Sequence, residues 1–272
     1  MSAPKFGVCI LSHRMSRAAG DLARRILSDQ DPVPVVIVEN GEQRADREYL
    51  ASFANEIEGV RVLFCSNRGY AHGNNLGLNY LMSEDGCRWA VVLNPDVSIP
   101  QGVKLSSWIQ AADEDGVAVS GPQILDERGR ITPPLALLSP WNAVIPSPNT
   151  PRGPIHATTG CALAIHLQAF FSCGGFDEEL FLYREEQALG HTLERFGLNW
   201  GYHPDFTIVH HHQRKVSSYS SWLKHRIWEY QSTVHVFTSH QHRGFVDLWF
   251  YRILFGIKSA IYVLFLPFFA RR

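Results

Sequence analysis

Residues 91–100 read VVLNPDVSIP. An apolar run with the composition of a buried strand stops at Asn94, Pro95 and Asp96, and there the chain turns. Strand-like and helix-like runs alternate on either side of it. FGVCILS (6–12) reads as a buried strand. SRAAGDLARRILSD (16–29) carries apolar residues at helical spacing, with Ser16 in the capping position. VPVVIVEN (33–40) and VRVLFCSN (60–67) are further strands, and helices are expected over 45–56 and 71–84. WAVVLNPD (89–96) is the fourth strand and GVAVSGP (116–122) the fifth. Continuously apolar strands separated by helices indicate a parallel sheet covered on both faces, an α/β fold.

In such sheets ligands bind beyond the carboxyl ends of the strands. Four strand ends carry polar residues. They are Ser12-His13-Arg14, Glu39-Asn40-Gly41, Asn67-Arg68-Gly69-Tyr70 and Asn94-Pro95-Asp96. One such end is turn chemistry, but four on one rim define a site. No Gly-x-Gly-x-x-Gly follows the first strand and no Walker lysine loop occurs, which disfavours dinucleotide and P-loop chemistry.

Composition narrows the class. The chain has 272 residues, enough for one large α/β domain with an appendage. Its net charge of −1 gives no basic field for nucleic acid. Five scattered cysteines with no C-x-x-C pair fit reduced thiols, and the apolar run at the N-terminus is too short for a signal peptide. A cytoplasmic location is expected.

Beyond 122–155, a connection holding eight prolines, TTGCALAIH reads as a strand and LQAFFSC as a short helix stopped by Gly174-Gly175. REEQALGHTLERF (184–196) is a helix with Glu185 and Glu186 in its first turn, and WGYHPDFTIVHHHQ (200–213) is a strand ending in three histidines. Adjacent histidines alternate faces on a strand, and no cysteine lies at short spacing, so His210, His211 and His212 do not read as a zinc site.

In this order, VVIVENG, NRGYAHGNNLGLNY, VLNPDV, TGCALAIHLQAFFSCGGFDEELFLYREEQAL and VHHH resemble family 2 glycosyltransferases of the GT-A fold, and most of all their bacterial rhamnosyltransferase-like branch. The resemblance covers roughly residues 5 to 215. It implies a GT-A domain over 1–215 and an inverting transfer from a nucleotide diphosphate sugar, dTDP-rhamnose or a UDP-sugar, to a cell-surface glycan or lipid-linked acceptor. It implies Mg²⁺ or Mn²⁺ at Asp96 with His210 on the metal side, and Ser12, Glu39, Asn67, Gly69, Gly73, Asn74, Asn94 and Asp96 around the donor. Glu186 is the implied base, Glu185 its rival, and Asp177 an acceptor-positioning or turn residue. Two departures stand out: Glu39 replaces the family's Asp, and Glu185-Glu186 replaces its Glu-Asp pair. Two rivals remain: a nucleotide-sugar-binding homologue without turnover, and a sugar nucleotidyltransferase, for which SHRMSRAAG is a poor basic loop.

Residues 216–272 lie outside that pattern and read as a helical appendage. Apolar positions 246, 249, 250, 253, 254, 257, 261, 264 and 265 recur at helical spacing, with Arg252, Lys258, Arg271 and Arg272 adding charge. The longest charge-free run, Ser259 to Ala270, falls short of the roughly 20 residues that span a bilayer. A helix lying in the cytoplasmic membrane surface is expected.

Overall fold

A computed structural model describes residues 4–30, 32–135, 147–211 and 219–269. Strands β1 (Phe6–Ser12), β2 (Val35–Glu39), β3 (Val60–Phe64) and β4 (Trp89–Leu93) run parallel in the order β3-β2-β1-β4. Their side chains alternate between two apolar layers, which is why the strands read as unbroken hydrophobic runs. Val8, Ile10, Val35, Ile37, Val91 and Leu93 pack under α1 (Ser16–Asp29), α2 (Arg44–Glu56) and α4 (Leu105–Glu114). Cys9, Leu11, Val36, Val38 and Val92 pack under α3 (Tyr70–Ser83), α5 (Leu167–Ser172) and α6 (Glu185–Arg195).

Beyond β4 the sheet is mixed rather than parallel. It continues through β9 (Ala162–His166), β6 (Val119–Leu125), β10 (Trp200–His210) and β5 (Val97–Ser98). β9 is antiparallel to both β4 and β6, and β5 is antiparallel to β10. The orientation of β9 left no mark in the sequence, because a strand buried on both faces is apolar in either direction.

Part of the proline-rich connection is sheet. Pro122 lies inside β6, β7 (Ile131–Thr132) pairs with β6, and β8 (Gly153–Ile155) pairs with β10, while 136–146 lie outside the described residues. Ser16 is not a cap. It is the first residue of α1, Met15 holds the cap position, and the Ser16 hydroxyl donates to Asp46 instead.

After β10 come α7 (Tyr219–His235), a π-helical turn at Val236–His240 and α8 (Phe245–Phe269). α7 and the π turn are bonded to the segment just before α6. Ser232 donates to the Leu182 carbonyl at 2.8 Å, and the Phe181 and Trp228 rings lie 4.8 Å apart. Among the described residues, no helix is long and apolar enough to cross a membrane.

Candidate active site

The turn that ends β4 and the end of β10 meet because β5 pairs with β10, setting Val97 opposite His210. That register brings His210 Nε2 to 3.3 Å from Asp96 Oδ1, and the Asp96 carbonyl accepts the His211 N–H at 2.8 Å. Two donors of one ion at about 2.1 Å in octahedral arrangement sit about 3 Å apart, so this carboxylate–imidazole pair has the spacing of two ligands of one divalent ion. Phosphate oxygens would complete such a set. His212 lies outside the described residues.

The same turn is tied to the strand opposite. The Asn94 N–H donates to the Cys161 carbonyl at 2.9 Å. One peptide earlier, Gly160 is a junction: its N–H donates to Glu186 Oε1 at 2.6 Å and its carbonyl accepts the Tyr70 hydroxyl at 2.7 Å. A Cβ on Gly160 would lie 2.5 Å from Glu186 Oε1, so a side chain there would displace the carboxylate. Burial pushes the Cys161 thiol up to about 12, and the Asp96 and Glu186 charges both add to that rise. The two carboxylates are thus within electrostatic reach of one thiol. Tyr70 is likewise held well above its usual range, by burial first and then by Glu186 and Glu185. It therefore stays a neutral donor.

The Glu pair divides by register along α6. Glu185 points inward and is only 3% exposed, whereas Glu186 is partly exposed against Gly160. Burial, and next the charge of Glu186, raise the Glu185 carboxyl to about 8. The rise favours the protonated form of Glu185, the opposite of what a base requires. A raised folded-state pKa contributes stability fully below the unfolded value near 4.5 and loses it as pH rises through about 8. Glu185→Gln should therefore flatten the fall in stability between about pH 5 and 8, with a gain on the order of a few kcal/mol at pH 8. Urea melts at pH 5 and 8 check this, and an unchanged slope would refute it.

The residues before α6 are strained. Tyr183 and Arg184 have φ of 75° and 72°, costing on the order of 1–3 kcal/mol each. α7 holds them there. The Arg184 guanidinium donates to Thr233 and Glu229 on α7 and to Gln187, and the Tyr183 hydroxyl meets His225 Nδ1 at 2.7 Å.

The remaining donor-side residues shape the rim from within. Glu39 is fully buried; its oxygens accept from the Ser12 hydroxyl and the Gly41 N–H, both at 2.6 Å. Asn67 accepts the Gly69 N–H at 3.2 Å, closing a turn ahead of α3. Gly69 has φ +103°, and a Cβ there would lie 2.2 Å from the Phe181 carbonyl oxygen. Gly69→Ala should cost more than about 2 kcal/mol in denaturant melts, since neither that backbone oxygen nor the dihedral can yield cheaply. A loss below half of that would refute the close approach. A Cβ on Gly73 would lie 2.3 Å from the Leu11 side chain, and Asn74 is buried with its amide donating to the Tyr70 carbonyl at 3.1 Å. Asp177 accepts the Glu179 N–H at 3.0 Å and faces His235 and His240, whose hydrogen bonds, His240 first, hold its carboxyl well below the usual carboxylate range.

The structure thus brings Asp96 to His210, and Glu186 to the Gly160–Cys161 backbone that anchors the Asp96 turn. Gly160, Cys161 and the strained Tyr183-Arg184 pair were not recognised in the sequence; the small residues of TTGC ahead of a strand were the one signal for the first two.

A mixed α/β sheet with carboxylates at its strand ends is the architecture of the GT-A fold. Solved structures bear the fold out. The chain superposes on GalNAc-T7 with UDP, GalNAc and Mn²⁺ with a TM-score of 0.64 at 14% identity, over 86% of this chain and 48% of that one. It superposes on the mannosyltransferase PcManGT of Pyrobaculum calidifontis, in complex with GDP-Man and Mn²⁺, with a TM-score of 0.60 at 14% identity, over 89% and 65%. Residues 17–174 match glycosyl transferase family 2, and the chain belongs to that family. It is a glycosyltransferase. It is 26% identical to the N-acetylglucosaminyl-diphospho-decaprenol L-rhamnosyltransferase of Mycobacterium tuberculosis, over 82% of this chain and 80% of that protein. It is 25% identical to the low-salt glycan biosynthesis hexosyltransferase Agl10 of Haloferax volcanii, over 59% and 55%.

Proposed function

We propose that the protein is an inverting sugar transferase that moves a sugar from a nucleotide diphosphate donor, dTDP-rhamnose first, to a lipid-linked or cell-surface glycan acceptor. One observation carries this reading. The turn that presents Asp96 to His210, through the Asn94 N–H, and the Glu186 carboxylate are both hydrogen-bonded to the Gly160–Cys161 backbone. A divalent ion, Mg²⁺ or Mn²⁺, held by Asp96 and His210 would neutralise charge on the departing diphosphate. Asn94 fixes the turn that presents Asp96. Ser12, Glu39, Asn67, Gly69, Gly73 and Asn74 set the shape of the donor rim through the contacts described above. Glu186 accepts the proton of the acceptor hydroxyl while that oxygen attacks the anomeric carbon opposite the diphosphate. One C–O bond forms as the other breaks, so configuration inverts. The rhamnosyltransferase likeness and its decaprenol-linked substrate name support the donor and acceptor classes.

Within this reading residues 1–215 form the catalytic unit, and the helices of 216–272 hold it to the cytoplasmic face of a membrane. Val246, Trp249, Ile253 and Ile257 are exposed at helical spacing on α8, and Arg252 is exposed among them. Side chains at 258 and 260–269, like residues 271 and 272, lie outside the described ones. Trp249→Glu with Ile253→Glu should weaken sedimentation with anionic vesicles more than tenfold, since each buried apolar side chain contributes roughly 1.5–3 kcal/mol. Equal sedimentation of the variant would place this face elsewhere.

The transfer itself is tested by nucleotide diphosphate release from UDP-, dTDP- and GDP-sugars, with Mn²⁺ or Mg²⁺ and a lipid-linked acceptor extract. Metal-dependent release from one donor supports the reading and names the sugar. Donor binding without release across the acceptors would refute it in favour of a binding homologue.

A further inference from the structure

We propose that Asp177, His235 and His240 form a second cation site, for a zinc-like transition-metal ion, that fastens the end of α7 and the π turn to the loop leading into the Glu pair. The site is independent of the donor-metal reading above.

His235 Nε2 lies 2.8 Å and His240 Nε2 2.7 Å from the same oxygen, Asp177 Oδ2. The three donor atoms all fall within 4.8 Å of one another. Tetrahedral zinc ligands at about 2.0–2.1 Å sit about 3.3 Å apart, so opening each contact by roughly half an ångström admits the ion. Two imidazoles and one carboxylate suit zinc-like ions rather than Mg²⁺.

The backbone is built to make this pair of histidines meet. Residues five apart on an α-helix point about 140° apart around the axis. Here the helix widens to a π turn, seen in the Gln241 N–H donating to the Val236 carbonyl at 2.9 Å, and the two rings come to 5.7 Å. Such turns recur at functional sites.

The far ring nitrogens also have partners. His235 Nδ1 lies 3.4 Å from Glu179 Oε2, and His240 Nδ1 lies 3.4 Å from Thr192 Oγ1. An ion on both Nε2 atoms leaves Nδ1–H free to donate to Glu179 and to Thr192, the usual support of metal-bound histidine. The ion accounts for the second partners as well as the first. Mechanically, it would join the π turn to residue 177, at the start of the loop that ends in the strained Tyr183-Arg184 pair.

The test titrates Zn²⁺ alone into chelator-stripped full-length protein, with bound metal counted by elemental analysis. One equivalent is expected, and the melting temperature should rise by about 5 °C or more at a hundredfold excess over Kd. Binding should survive Asp96→Asn, weaken about 10–100-fold in Glu179→Gln, and vanish in the His235→Ala, His240→Ala double variant. Co²⁺ should give the intense visible bands of a tetrahedral site in the wild type and not in that variant. Should the double variant fail to fold, His240→Gln keeps an amide against Asp177 and serves the same comparison. No saturable binding overturns the proposal. So does binding that persists without the two histidines, or that is lost instead in His156→Ala with His191→Ala, the neighbouring cluster with Glu194.

Discussion

Replacing Glu186 by glutamine should lower kcat for sugar transfer by about 10²–10⁴-fold, the range for loss of a general base, with donor affinity unchanged. The change is close to isosteric. The Gly160 N–H, 2.6 Å from Oε1, can still be met by the amide oxygen, so the fold and the Asp96 turn should stay in place. What disappears is the capacity to take a proton. Glu185→Gln is the control. Burial pushes its carboxyl toward the protonated form, so kcat at pH 7 should stay within a few-fold of wild type. Single-turnover release of nucleotide diphosphate, with donor Kd by calorimetry, separates the two. If Glu186→Gln retains more than a tenth of wild-type kcat, the base is another group.

Asp96→Asn should cost about 10³-fold in transfer, comparable to removing a principal electrostatic stabiliser of a developing charge. Asparagine keeps the volume and the turn, and the Asp96 carbonyl still accepts the His211 N–H. The charge facing His210 is lost. Unlike Glu186→Gln, this change should also weaken Mn²⁺-dependent donor binding. His210→Ala should move the same two quantities by less. The double variant should fall well short of the product of the single losses, because both residues are proposed to serve one ion. Multiplicative losses would mean that the residues act separately, and unchanged Mn²⁺-dependent binding in Asp96→Asn would remove it from the metal.

Much of this was legible in the chain alone. Buried strands announce themselves by unbroken Val, Ile and Leu, and the helices between them by spacing, so β1, β2, β4 and helices α1 to α3 fall close to their expected positions. The polar strand ends were legible because a rim residue is the first in its strand released from packing. Asp96 and Glu186 stood out as carboxylates placed where a buried run ends and where a helix begins.

Other features are not written locally. β5 is two residues long, too short for any periodicity, yet its pairing with β10 is what sets Asp96 beside His210 across 114 positions of chain. Which glutamate faces the site depends on the register of α6 against Gly160, a contact 26 residues distant that spacing within the helix does not encode. Asp177, His235 and His240 converge only because a π turn shifts one histidine around its helix. Sequence by itself determined the layers, the rim and the residue types on it, since these follow from burial and local propensity. Tertiary structure alone decided which of those residues meet, since register, strand direction and helix rotation are set by contacts between segments far apart in the chain.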